Sequence, residues 1–155
     1  MKTAEDATEA IGGLPLFGVI DDLKASVEFL SWHASVDSPK ISSVGFCWGG
    51  WRSFMLATVE PRLYRAVVFY GSSPQSGFEN IQAPVLAHYA EWDTRITGNA
   101  LWTEQMIKQA GKKYQYYVYP KTEYAFFNDT GPRQARRGPV GLDPHLGLPA
   151  QLRSK

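Results

Sequence analysis

The chain has one cysteine, Cys47. A single thiol forms no internal disulfide and no multi-cysteine zinc site. The expected compartment is therefore the cytoplasm. No apolar run is long enough to span a bilayer, and the opening "MKTAEDATEAIGG" lacks the apolar core of a signal peptide. An excess of charge is also missing. Sixteen Lys and Arg stand against fifteen Asp and Glu, which leaves no basic footprint for nucleic acid or an anionic membrane. There is no P-loop lysine and no dinucleotide glycine fingerprint, and no cofactor is expected. Histidine is scarce, with only His33, His88 and His145. What is plentiful is aromatic: five Trp, eight Tyr and eight Phe. Aromatics of that number suit a core or a pocket lining and name no ligand.

The 155 residues suit one domain. The first dozen are small and polar and are expected to fray. "VIDDLKASVEFLSW" (19–32) sets Ile20, Leu23, Val27 and Leu30 at helical spacing. "KISSVGF" reads as a buried strand, and "WGGWRSFMLATVE" resumes helical spacing. "YRAVVFYG" is a continuous apolar run, as in a parallel strand covered on both faces. "PVLAHYAEWD", "GNALWTEQMIKQAGKK" and "YQYYVYP" follow as strand, helix and strand. This alternation predicts an α/β fold with a mainly parallel sheet flanked by helices. From Gln134 the rhythm breaks. Residues 134–155 are rich in Gly, Pro, Arg and Leu, and Pro139, Pro144 and Pro149 oppose a helix. The expected organisation is a domain over 1–133 and an irregular, disordered tail over 134–155, with a shifted reading frame as one source of such a tail.

"ISSVGFCWGGW" (41–51) carries the chemistry. A strand, then G-x-C-x-G, then a helix is the layout of a nucleophile elbow. Gly45 and Gly49 would keep side chains from the crowded turn. The following helix would point its N-terminus at the sulfur and favour thiolate. The Trp48 backbone N–H, one residue on, would stabilise an oxyanion. A small structural cysteine in a tight turn is the other reading of the same five residues.

"VGFCWGG" resembles the nucleophile motif of the dienelactone hydrolase family of α/β-hydrolases. "APVLAHYAEWDTRI" is similar to the segment bearing that family's catalytic aspartate, and "YPKTEYAFFNDTGPR" to the loop bearing its catalytic histidine. The likeness runs from about Ile20 to Arg133. It implies a partial α/β-hydrolase fold acting on a small-molecule ester or lactone, without cofactor or metal. It implies Cys47 as nucleophile, Asp93 as the acid and the Trp48 amide as oxyanion donor. Asp93 also reads as a solvated turn residue or a helix N-cap. Arg95 sits near a family arginine position and would hold a substrate carboxylate, or form a surface salt bridge.

The chain departs from the pattern at three places. Tyr124 stands where the family has histidine. A phenol with an ordinary pKa of about 10 is a poor general base at neutral pH, so turnover should be impaired. Under fifty residues precede Cys47, so the chain looks like the C-terminal two-thirds of a family domain. One sheet edge would then be uncovered and open to self-association. Trp51 is bulky where relatives often have a small residue. A catalytically inactive binding protein of this fold, or a non-functional fragment, are the alternatives.

Overall fold

The computed structural model describes residues 3–128. The tail expectation for 134–155, with His145, lies outside the described residues. The opening segment is not frayed. It forms helix α1 (Ala4–Gly12), closed by a reciprocal pair in which Thr3 Oγ1 accepts from Asp6 N and Asp6 Oδ2 accepts from Thr3 N, both at 3.1 Å. That pair satisfies two amides that have no helical acceptor. Helix α2 (Leu16–Trp32), with Pro15 as its N-cap residue, begins earlier than the apolar spacing suggested. It buries Ile20 and Val27, while Leu30 stays 37 % exposed.

Four strands follow: β1 (Ser42–Phe46), β2 (Arg65–Phe69), β3 (Val85–Ala90) and β4 (Tyr114–Tyr119). All neighbours pair in parallel in the order β1-β2-β3-β4. Helix α3 (Trp48–Val59) connects β1 to β2 and packs on both. A one-turn helix α4 (Thr94–Thr97) and then α5 (Ala100–Gln109) connect β3 to β4. This is the α/β architecture that the strand and helix rhythm predicts.

Side chains of a strand alternate between faces. Ala66, Val68, Val85, Ala87 and Tyr89 face the helices and join Phe54, Leu56, Ala57 and Ile107 in the main core. The opposite face carries Phe69, Ala90 and Tyr119, packed with Tyr70 and Phe126. It is only partly covered. Val44 is 61 % and Phe46 42 % exposed. The expectations that β1 is a buried strand and that β2 is covered on both faces therefore need correction. The strand order puts β1 at the sheet edge, and no described helix crosses its outer face. An open groove of about 880 Å³ runs over this face, floored by Val44, Val67 and Leu86 and bounded by Phe46, Phe69 and Phe127.

His88 sits on the same face, fully buried, with its ring stacked on Phe69 at 4.4 Å. Its Nδ1 is 2.8 Å from the Tyr119 hydroxyl, and its Nε2 is buried without a partner. It is a packed core histidine. Burial pulls its pKa from 6.5 to about 4, because a charged ring loses hydration there. In the unfolded chain the ring takes up a proton near pH 6.5 that the folded ring refuses until about pH 4. Stability is thus fully present above 6.5 and falls as pH drops through that window, by up to about 3 kcal/mol. Urea unfolding between pH 4 and 7.5 is expected to show this slope, and His88→Gln to flatten it.

Candidate active site

Cys47 lies between β1 and α3 with φ 56° and ψ −119°. That left-handed region is costly for a residue with a Cβ. The turn is held in place by main-chain bonds: Cys47 N donates to Phe69 O at 3.0 Å, and Trp51 N to Cys47 O at 3.2 Å. Crowding explains the glycines, with one correction. A Cβ on Gly45 would lie 1.9 Å from Gly49 O. A Cβ on Gly49 meets nothing within 4 Å. The second tight contact is instead between Gly50 and Gly71. A Cβ on Gly71 would come within 2.4 Å of Gly50 C, and one on Gly50 within 2.7 Å of Phe69 O. The turn thus rests on Gly45, Gly50 and Gly71, where α3 crosses the ends of β1 and β2. The sequence signal for the last two was the Gly49-Gly50 pair and the glycine closing the second strand.

The thiol is exposed and sits at the N-terminus of α3. The first amides of a helix, here beginning with Trp48, have no helical acceptor and face whatever lies ahead of them. The hydroxyl of Tyr124 donates to Cys47 Sγ. The Tyr124 ring meets Tyr70 edge-on at 5.3 Å, and the Arg95 guanidinium lies 5.8 Å from the ring centroid. Burial raises the Tyr124 pKa above its ordinary value. The hydrogen bond to Cys47 pushes the same way, and Arg95 opposes both. The phenol is therefore protonated at neutral pH.

Two loops bring these groups together. Trp92 N donates to Thr122 O at 3.0 Å, and Lys121 N to Glu91 Oε2 at 2.7 Å. These bonds tie the loop after β3 to the loop after β4. Asp93, in the first of them, caps α4: its Oδ1 accepts from Ile96 N at 3.3 Å. Its Oδ2 is buried and has no hydrogen-bond partner. Asp93 is thus an N-cap, one of the two roles open to it, with one carboxylate oxygen to spare. Tyr124 turns its only donor to the sulfur. A neutral imidazole accepts at one nitrogen and donates from the other, so it can take a thiol proton while bonded to a carboxylate; a phenol has a single O–H to donate and no basic nitrogen.

The remaining candidates scatter. His33 ends α2, and its Nδ1 accepts from Ser35 N at 3.2 Å. Phe126 packs in the smaller core cluster, while Phe127 stacks against Phe46 at 5.6 Å on the open sheet face. The Trp48 and Trp51 ring centroids lie 4.4 Å and 4.1 Å from the Arg52 guanidinium carbon. No pattern of spacing pointed to Arg52. Among the described residues, no group of three or more His, Cys, Asp or Glu is placed to hold a metal, and no helix is long and apolar enough to cross a membrane.

The profile of the dienelactone hydrolase family matches residues 4–139. The "Putative carboxymethylenebutenolidase" of Saccharolobus solfataricus is 35 % identical over 111 residues, covering 70 % of this chain and 43 % of the relative. The "Probable 2-oxo-3-(5-oxofuran-2-ylidene)propanoate lactonase" of a Bradyrhizobium species is 29 % identical over 140 residues, covering 81 % and 56 %. In structure, the chain is similar to a crystal structure titled "Putative Dienelactone Hydrolase" from Klebsiella pneumoniae. The TM-score is 0.71 at 27 % identity, over 79 % of this chain and 56 % of that one. The chain spans about half the length of these relatives. With a family profile matching most of its length, the chain belongs to the dienelactone hydrolase family.

Proposed function

We propose that the chain acts on an ester or lactone through Cys47. The Cys47 thiolate attacks the carbonyl carbon. The tetrahedral oxyanion forms against the Trp48 N–H, in the field of the α3 N-terminus. Collapse expels the alkoxide, which takes a proton from water or from the Tyr124 hydroxyl, and leaves a thioester on Cys47. Hydrolysis of that thioester needs a water stripped of a proton. Tyr124, protonated at neutral pH, is a poor acceptor for it. A thiolate needs less help to attack than a hydroxyl does, so acylation outruns deacylation. Asp93 is the acid member without its imidazole, and Arg95, beside the Tyr124 ring, is placed to meet a carboxylate on the substrate. The observation that supports this reading most is the Tyr124 hydroxyl bonded to the sulfur of a strained, exposed elbow cysteine.

Intact-mass spectrometry after brief incubation with an activated aryl ester tests it. One acyl adduct is expected, absent in Cys47→Ala, and lasting far longer than a turnover of an efficient esterase. No adduct would remove Cys47 as nucleophile. A second reading is a binding protein of hydrolase fold. It is favoured by the occupied sulfur. Such a protein would show ligand-induced stabilisation without adduct or product.

A further inference from the structure

Arg52 stands out among the charged residues of the described chain. It is only 5 % exposed. Its Nε and Nη1 are both buried with no hydrogen-bond partner, and no carboxylate pairs with it in any described ion pair. A buried, unpaired cation is costly, and folds seldom keep one without a counter-charge. Burial alone lowers its pKa, yet a guanidinium stays charged at any physiological pH. The π surface of the group is met by the Trp48 and Trp51 indoles, with ring centroids 4.4 Å and 4.1 Å from its carbon. Its edge, where hydrogen bonds form, is not.

The cover over that edge is thin. Trp48 and Trp51 are themselves only half-buried. Trp51 also walls a cleft of about 470 Å³, together with Met55, Ser72, Ser73, Gln75 and Ser76. Trp51 is thus shared between the guanidinium and this mainly apolar cleft. Arg52 lies in the second turn of α3, and its side chain reaches back over Trp48, the first residue of that helix. The positive end of the helix dipole adds to the guanidinium charge at this point. We infer that Arg52 and the adjoining cleft form a binding site for a small organic carboxylate, with the Trp51 indole as its shared wall.

A carboxylate can take up one edge of the group. Its two oxygens accept from the parallel N–H donors of Nε and Nη2, as Glu60 does from Arg62, or of Nη1 and Nη2. The indoles that stack on the cation would then border the organic part of the ligand. The site does not depend on acylation of Cys47, so its test uses no ester.

The experiment is a titration of the full chain, in the Cys47→Ala background, with sodium benzoate against sodium chloride at equal ionic strength. Thermal unfolding and tryptophan fluorescence are both read. Benzoate is expected to raise the Tm and to change the fluorescence saturably, while chloride does neither. Arg52→Met is expected to abolish both responses and to unfold at a higher temperature than the parent without ligand, because an unpaired buried charge is gone. Arg52→Lys keeps the charge but loses the fork, so its benzoate affinity should fall about tenfold or more. That arm decides the matter if Arg52→Met does not fold. Absence of a benzoate-specific response in the parent, or an undiminished response in Arg52→Met or Arg52→Lys, would overturn the assignment.

Discussion

Tyr124→His is expected to turn a stalled thioester into a turning-over one. An imidazole at this position has a nitrogen for Cys47 and a second for a carboxylate. Asp93 offers Oδ2, buried and without a hydrogen-bond partner. The loops that bear residues 93 and 124 are already tied by the Trp92–Thr122 and Lys121–Glu91 bonds, so the base would arrive in a formed setting. A positioned general base typically contributes about 10²–10⁴-fold. The rate of loss of the Cys47 acyl adduct, read by stopped incubation and mass spectrometry, should rise by about that range. The acylation rate should change much less, since a thiolate already attacks well. Asp93→Asn added to Tyr124→His should take back most of the gain. A folded Tyr124→His protein whose adduct persists as before would show that the missing histidine is not what limits this chain.

The second large effect concerns the elbow itself. Gly45→Ala would drive a Cβ to within 1.9 Å of Gly49 O and 2.7 Å of Gly50 N. Both are backbone atoms at the start of α3 and cannot turn aside as a side chain would. Relief requires β1 and α3 to separate, and those two elements carry Cys47 between them. We expect a loss of about 3 kcal/mol or more, at the severe end for a single substitution. Denaturant unfolding would show it as a lower midpoint, and thiol alkylation as a changed Cys47 rate. Gly49→Ala is the contrast. Its Cβ meets nothing within 4 Å, and alanine is favoured over glycine in a helix by up to about 1 kcal/mol. It should be neutral or slightly stabilising. Equal losses at the two glycines would contradict the packing described here.

The sequence alone determined a good deal. Apolar runs bounded by turn residues located all four strands, and helical spacing located α2, α3 and α5, because burial of one face imposes that period on a helix; the single turn of α4 was too short to show. A family resemblance carried by three separated motifs pointed to Cys47, Asp93 and Tyr124, and the fold brings Tyr124 onto Cys47. Helix α1 was missed, since its stability comes from a short-range Thr3–Asp6 cap more than from an apolar stripe. The exposure of β1 was missed too, because one strand's sequence does not say whether a neighbour will lie beside it. Which glycine matters could be decided only in three dimensions. Gly45, Gly50 and Gly71 come from three elements that meet at one crossing, and spacing along the chain had pointed to Gly49. The direction of the Tyr124 hydroxyl, the spare oxygen of Asp93 and the unpaired Arg52 between two indoles belong to the same class. The first joins side chains 77 positions apart, and the other two turn on which polar atoms burial leaves without a partner, which depends on every element packed around them.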